Sequence, residues 1–200
     1  LARAGDGAIV SAMVGGGTRG ATAMARASRI LENPVTGERV KWLVTGEDSG
    51  GALVRAEVWA PPGGELGPRH VHPFSEERIE LLAGCMELHV GGERRLLGRC
   101  DRATVPAGAP HAWRNAGTQE LRFICGLDPA LEFERVTEHL FALAAAGRTD
   151  RRGRPRLLDA ADLRRRFGEQ LHLATPPLAV QRILFGALAP VAARRNGDTV

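Results

Sequence analysis

His70 and His72 are separated by a single residue, inside the run Gly64-Glu65-Leu66-Gly67-Pro68-Arg69-His70-Val71-His72-Pro73-Phe74-Ser75-Glu76-Glu77. In an extended strand, residues two apart face the same side, so both imidazoles can be presented to one point. Pro73-Phe74-Ser75 can form a turn or bulge that brings Glu77 back towards it. Ile79 and Leu81 then share the inward face with Glu77, which sets a carboxylate beside an apolar interior. Such a carboxylate needs a compensating charge, and a divalent cation supplies one. A second segment, from Val105 to Asn115, contributes His111, with Pro106, Gly108 and Pro110 shaping a tight entry before its strand. Trp113 shares a face with His111, so its indole is expected either to line the same cavity or to pack in the core. Three imidazoles and one carboxylate suit a divalent transition metal (Fe(II), Mn, Ni, Zn or Cu) better than Mg or Ca. Neutral imidazoles need fixed tautomers, so hydrogen-bond acceptors are expected behind the histidines. His89, His139 and His172 have no such company and are read as structural or exposed.

Holding these groups at one point requires a scaffold of short strands. The alternation predicts strands over 40–45, 52–60, 78–82, 86–90, 95–97, 102–105, 111–115 and 121–127, nearly all bounded by Gly, Pro, Asn or Asp. Short antiparallel strands with frequent turns imply a sandwich or barrel. After Asp128 the period changes to that of amphipathic helices, expected over 129–146, 160–167 and 176–194. Thr175 can cap the last of these, with Pro176 in its first turn and Pro190 as a kink. Three zones result: a flexible Ala- and Gly-rich leader over 1–28, a β domain over 29–127, and a helical extension over 128–200 that packs on the β domain or on a partner subunit.

The 200 residues accommodate one domain with an appendage, and the 44% hydrophobic and 25% charged content is that of a globular protein. No apolar run approaches the roughly 20 residues of a membrane helix, so no membrane partner is expected. The formal charge of +4 is a local excess. Arg148, Arg151, Arg152, Arg154, Arg156, Arg164, Arg165 and Arg166 crowd one stretch against Asp150, Asp159 and Asp162. With no nucleic-acid motif around it, that stretch reads as a solvated connector, and no nucleic-acid partner is expected. The three cysteines, Cys85, Cys100 and Cys125, match no zinc-ribbon or Cys-x-x-Cys spacing, so buried free thiols in a reducing cytoplasm are the expectation. Trp42 and Trp59 are read as packing, and Arg55, Glu57 and Trp59 as a solvated or interface face.

The two histidine segments resemble the paired signature motifs of the cupin superfamily. The first pattern, G(X)5HXH(X)3,4E(X)6G, is met by Gly64, His70, His72, Glu77 and Gly84. The second, G(X)5PXG(X)2H(X)3N, is met by Pro106, Gly108, His111 and Asn115 but departs at its opening glycine, where Cys100 stands. The arrangement also resembles a quercetin-dioxygenase-like group of single-barrel bacterial cupins with C-terminal helices. The resemblance implies a mainly β fold, an antiparallel jelly-roll barrel followed by a C-terminal helical segment. It implies His70, His72, Glu77 and His111 as metal ligands, with Fe(II) favoured. Glu76 is the competing carboxylate, and Glu77 is preferred because it alone leaves six residues before Gly84.

By the same resemblance, a bidentate oxygen ligand such as an enolate, catechol or flavonol would occupy the site, with Trp113 shaping its pocket and Glu77 able to act as a catalytic base. Fe(II) would give a dioxygenase, while Mn, Ni or Zn would leave isomerase, decarboxylase or lyase chemistry open. The absence of tyrosine removes phenolic roles for the protein. The alternative is a non-catalytic module that binds a small molecule or metal. A homodimer and a small-molecule partner are expected.

Overall fold

Alternating apolar residues become paired strands wherever glycine or proline breaks the run. The computed structural model describes residues 29–65, 68–168 and 170–195, so the leader expected over 1–28 lies outside the described residues. The strands are β1 (Ile30–Glu32), β2 (Arg39–Val44), β3 (Val54–Ala60), β4 (His70–Val71), β5 (Glu76–Ala83), β6 (Met86–Val90), β7 (Glu93–Leu97), β8 (Arg102–Val105), β9 (His111–Asn115), β10 (Leu121–Asp128) and β11 (His172–Leu173). The helices are α1 (Phe133–Ala145), α2 (Leu157–Phe167) and α3 (Leu178–Arg195).

Two antiparallel sheets form a jelly roll. One runs β1-β2-β3-β10-β5-β8 and the other β11-β4-β9-β6-β7. Their inner faces meet in a core built from Val40 and Trp42 on β2, Ile79 and Leu81 on β5, Met86 and Leu88 on β6, and Leu121 and Phe123 on β10. The period-two pattern is clear on β10, where buried Leu121, Phe123, Cys125 and Leu127 alternate with outward residues. Trp113 lies in this core, its ring edge-on to Phe123 with centroids 5.0 Å apart. On the outer face, Arg122 pairs with Glu57, and Trp59 lies under the Arg39 and Arg122 guanidinium groups.

Two turns explain motif positions that carry no side-chain chemistry. Gly84 has φ 85°, and a Cβ there would come within 2.9 Å of the Leu121 Cα. Only glycine fits that approach. Cys100, standing where the family pattern opens with glycine, has φ 70° and donates its backbone N–H to the Leu81 carbonyl. The turn survives without its glycine, at the conformational cost of a side chain in left-handed backbone.

The C-terminal segment departs from the sequence reading in three ways. The region contains a short strand as well as helices: β11 pairs with β4, His172 opposite Val71 and Leu173 opposite His70. The last helix begins at Leu178, with Pro176 and Pro177 preceding it. The arginine-rich stretch is not simply a solvated connector. Arg148 and Arg195 both pair with buried Asp159, and Arg165 and Arg166 hold Asp162 at 2.9 and 2.8 Å. The Asp159 pairs tie α2 to the chain before it and to the end of α3, whereas the Asp162 pairs lie within α2. The cysteines also divide: Cys125 is buried, but Cys85 is half-buried and Cys100 exposed, so the expectation of buried thiols holds for Cys125 alone.

Candidate metal centre

Strand register puts the four predicted residues at one point. His70 on β4 lies directly opposite His111 on β9, and side chains so placed in an antiparallel pair stand about 5 Å apart. Their rings meet with centroids 4.2 Å apart. His72 follows β4, and its carbonyl accepts a 2.8 Å hydrogen bond from Gly108 in the turn that leads to His111. Glu77 comes from the other sheet, on the inward face of β5 with Ile79 and Leu81. The centre therefore lies between the sheets, closed from both sides. Glu76 takes the outward position and pairs with Arg78 at 2.8 Å.

All four side chains are buried, and one donor atom from each lies within 4.8 Å of the other three. The ring nitrogens facing away from the point are engaged. His111 Nδ1 is 2.9 Å from the Ala109 carbonyl and His70 Nδ1 is 3.3 Å from the Pro68 carbonyl. The His72 ring bonds to the Gln170 main chain. These contacts leave the Nε2 atoms facing inward as lone-pair donors. The carboxylate is held likewise: Cys125 donates its S–H to Glu77 Oε1 at 3.2 Å, and Oε2 turns to the centre.

Charge and burial bear on whether a cation fits. His111 Nε2 and Glu77 Oε2 approach to 2.8 Å, yet neither has a hydrogen bond aligned to satisfy it. Buried atoms of this kind are costly unless something completes their valence. Burial, reinforced by the other two histidines, pushes the His70 imidazole down to about 3, so it is neutral at ordinary pH. Burial also lowers His72. For Glu77 burial opposes the charge, but His111 and the other imidazoles outweigh it and hold the carboxyl near 2. His111 is pushed down by burial and up more strongly by Glu77, for a net rise. One carboxylate among three imidazoles, with inward atoms left unsatisfied, fits a divalent transition metal.

Beside this centre lies a cavity of about 490 Å³, walled by the barrel interior on one side and the C-terminal segment on the other. Trp113, Phe123 and Val58 line the barrel side, and Phe133, Leu140 and Phe141 of α1 face them. Phe133 packs edge-on to both Trp42 and His72, at centroid distances of 6.1 and 5.9 Å. Trp42 is therefore a cavity wall as well as a packing residue, and its buried indole N–H has no hydrogen-bond partner.

Several residues of the site escape the sequence reading. His172, read as structural or exposed, lines the cavity from β11. Gln170 supports the His72 ring from the same segment. A two-residue strand leaves no periodic signal, so nothing in the sequence marks either residue. Arg152 and Arg154 also line the cavity, reaching Glu65 at 3.7 and 3.4 Å. Glu38 had a signal, since it continues the inward parity of Val40 and Trp42, but the expected strand began at residue 40 and left it out. Of the remaining histidines, His89 pairs with Glu87 and His139 packs edge-on to Phe167, both away from the centre.

A model of the cupin domain matches residues 57–126. The chain is 36% identical to quercetin 2,3-dioxygenase of Bacillus subtilis (strain 168) over 83 residues, 42% of this chain and 25% of that protein. It is 33% identical to polyketide synthase CurC of Streptomyces cyaneus over 66 residues, 33% of this chain and 43% of that protein. The matches thus span less than half the length of either relative. Among solved structures it is similar to an RmlC-like cupin from Shewanella frigidimarina, with 21% identity, a TM-score of 0.45, and coverage of 54% of this chain and 88% of that one. Both histidine segments lie inside the matched span, so this part of the chain is similar to a cupin domain, and helices α1, α2 and α3 follow it.

Proposed function

We propose that this chain is a metal-dependent cupin acting on a small enolic or phenolic metabolite, with Fe(II) as the metal and dioxygenation as the reaction. One observation carries the reading: four buried ligand side chains converge beside a largely apolar cavity of about 490 Å³. A planar, oxygen-bearing ring system suits such a space, with aromatic walls for its faces and a polar end for its oxygens. The likeness to quercetin 2,3-dioxygenase, confined to a quarter of that protein, supports this substrate class.

His70, His72, Glu77 and His111 would hold the metal, which when bound supplies charge for an oxygen anion and a route for electrons to O2. The protein's own part is positional. Pro68, Ala109 and Gln170 fix the imidazole orientations, and the Cys125 thiol anchors one oxygen of Glu77. Glu77 retains its negative charge, and its second oxygen faces the point where the metal would sit. Trp113, Phe123 and Phe133 exclude water and orient the ring.

The test is O2 consumption by the Fe(II)-loaded chain against quercetin and a panel of catechols and enols. The reading expects uptake with at least one of these, and its loss in the His111→Ala variant. Stable metal and ligand binding without turnover would instead identify a binding module.

A further inference from the structure

Glu38 immediately precedes β2 and faces inward with Val40 and Trp42, onto the cavity shared with Glu77 and the histidines. Its backbone is fixed by the β1–β2 turn: the Glu38 carbonyl accepts from Asn33 N–H at 2.8 Å, and its own N–H donates to Thr36 Oγ1 at 3.3 Å. The carboxyl itself has no ion pair or hydrogen bond with any described residue. The other two carboxylates of the cavity are engaged, Glu65 with Arg152 and Arg154 and Glu77 within the ligand cluster. A carboxyl group held in an apolar cavity without a partner stabilises nothing in the fold.

We propose that Glu38 is the proton-accepting residue of this cavity, its carboxylate taking the hydroxyl proton of an enolic or phenolic ligand as the ligand's oxygen turns to the metal centre. The proposal rests on the metal-dependent reading above. The ligand O–H bond breaks, an O–H bond forms at a Glu38 carboxyl oxygen, and the electron pair stays on the ligand oxygen. No oxidant or reductant is consumed. Glu77 is thereby spared from leaving its place to act as the base.

Burial lifts the Glu38 carboxyl to about 7, where a carboxyl group exchanges protons most effectively near neutral pH. Other charged or titratable groups on the cavity wall are Glu65 with its two arginines, Arg164 on α2, His172 on β11 and Cys125 on β10. None has a resolved hydrogen bond to Glu38. Cys125 feels its charge, which together with burial and Glu77 keeps the thiol protonated.

The experiment follows protons as quercetin binds to the full chain loaded with Zn(II), which binds without redox turnover. Calorimetry in buffers of different ionisation enthalpy, at a pH about one unit above neutrality, counts protons released to solvent. Wild type and Glu38→Asp are expected to release about one proton fewer per quercetin than Glu38→Gln. Infrared difference spectra of the wild type and of Glu38→Asp, and not of Glu38→Gln, should gain a protonated-carboxyl band on binding. Equal proton counts, or no such band, overturn the role of Glu38 and leave the metal-centre reading intact. A Zn(II)-loaded chain that binds neither quercetin nor catechol overturns that reading, and the role of Glu38 with it.

Discussion

At the scale of single residues, the site is a problem of unsatisfied atoms. Glu77 Oε2 and His111 Nε2 are buried, adjacent and without aligned hydrogen bonds, while every group behind them is engaged. The residue Cys100 has a different kind of cost, since it holds φ 70° in a turn that glycine would adopt freely. Replacing Cys100 with glycine is therefore expected to raise stability by about 1 kcal/mol, read as a higher denaturation midpoint with unchanged metal content. The convergence of His70, His72, Glu77 and His111 was legible in the sequence because alternation in a strand fixes which side chains share a face. The same rule separates Glu77 from Glu76, which the structure places on opposite faces of β5. Asn115 was legible only as a motif position. Its Nδ2 donates to the carbonyls of Ala60, Pro61 and Gln119, so it braces the barrel end and faces no ligand.

At the scale of elements, most strands that pair locally were legible almost to their ends, because Gly and Pro punctuate them; β1, three residues long, was missed. Strand β11 was missed too. It is two residues long and gains its identity only by pairing with β4, the strand that carries His70. Its attachment runs through Gln181 on α3, which is buried and donates to the Leu173 and Pro176 carbonyls at 2.8 and 2.6 Å. Removing that amide in a Gln181→Ala variant breaks both part-buried hydrogen bonds, at a cost of about 0.5–1.5 kcal/mol each. The variant is expected to melt earlier and to bind metal about tenfold more weakly, because His72 depends on Gln170 in the same segment. Isothermal titration with Zn(II) checks the second effect; unchanged affinity would mean that β11 plays no part in the centre.

At the scale of the molecule, two sheets and three helices among the described residues enclose the four converging side chains, and the cost of burying them depends on pH. In the metal-free chain the unfolded state protonates His70 near 6.5, whereas burial delays this in the fold to about 3. The unfolded state therefore binds more protons throughout that window, and stability falls as pH drops from 6.5 towards 3. Glu77, held near 2 against an ordinary 4.5, adds a loss of the same sign below 4.5. His111, whose value is raised, contributes with the opposite sign and loses its stabilisation as pH rises. The unfolding midpoint of the metal-free chain should thus decline on the acid side, and a His70→Gln variant should decline less. The central claim, that His70, His72, Glu77 and His111 together hold a divalent ion, is tested most directly by mass-spectrometric metal analysis of chain purified without oxygen. The account predicts one transition-metal ion per chain in the wild type and its loss in His111→Ala. A wild type that holds no metal even after reconstitution, or a His111→Ala variant that keeps it, would contradict the account.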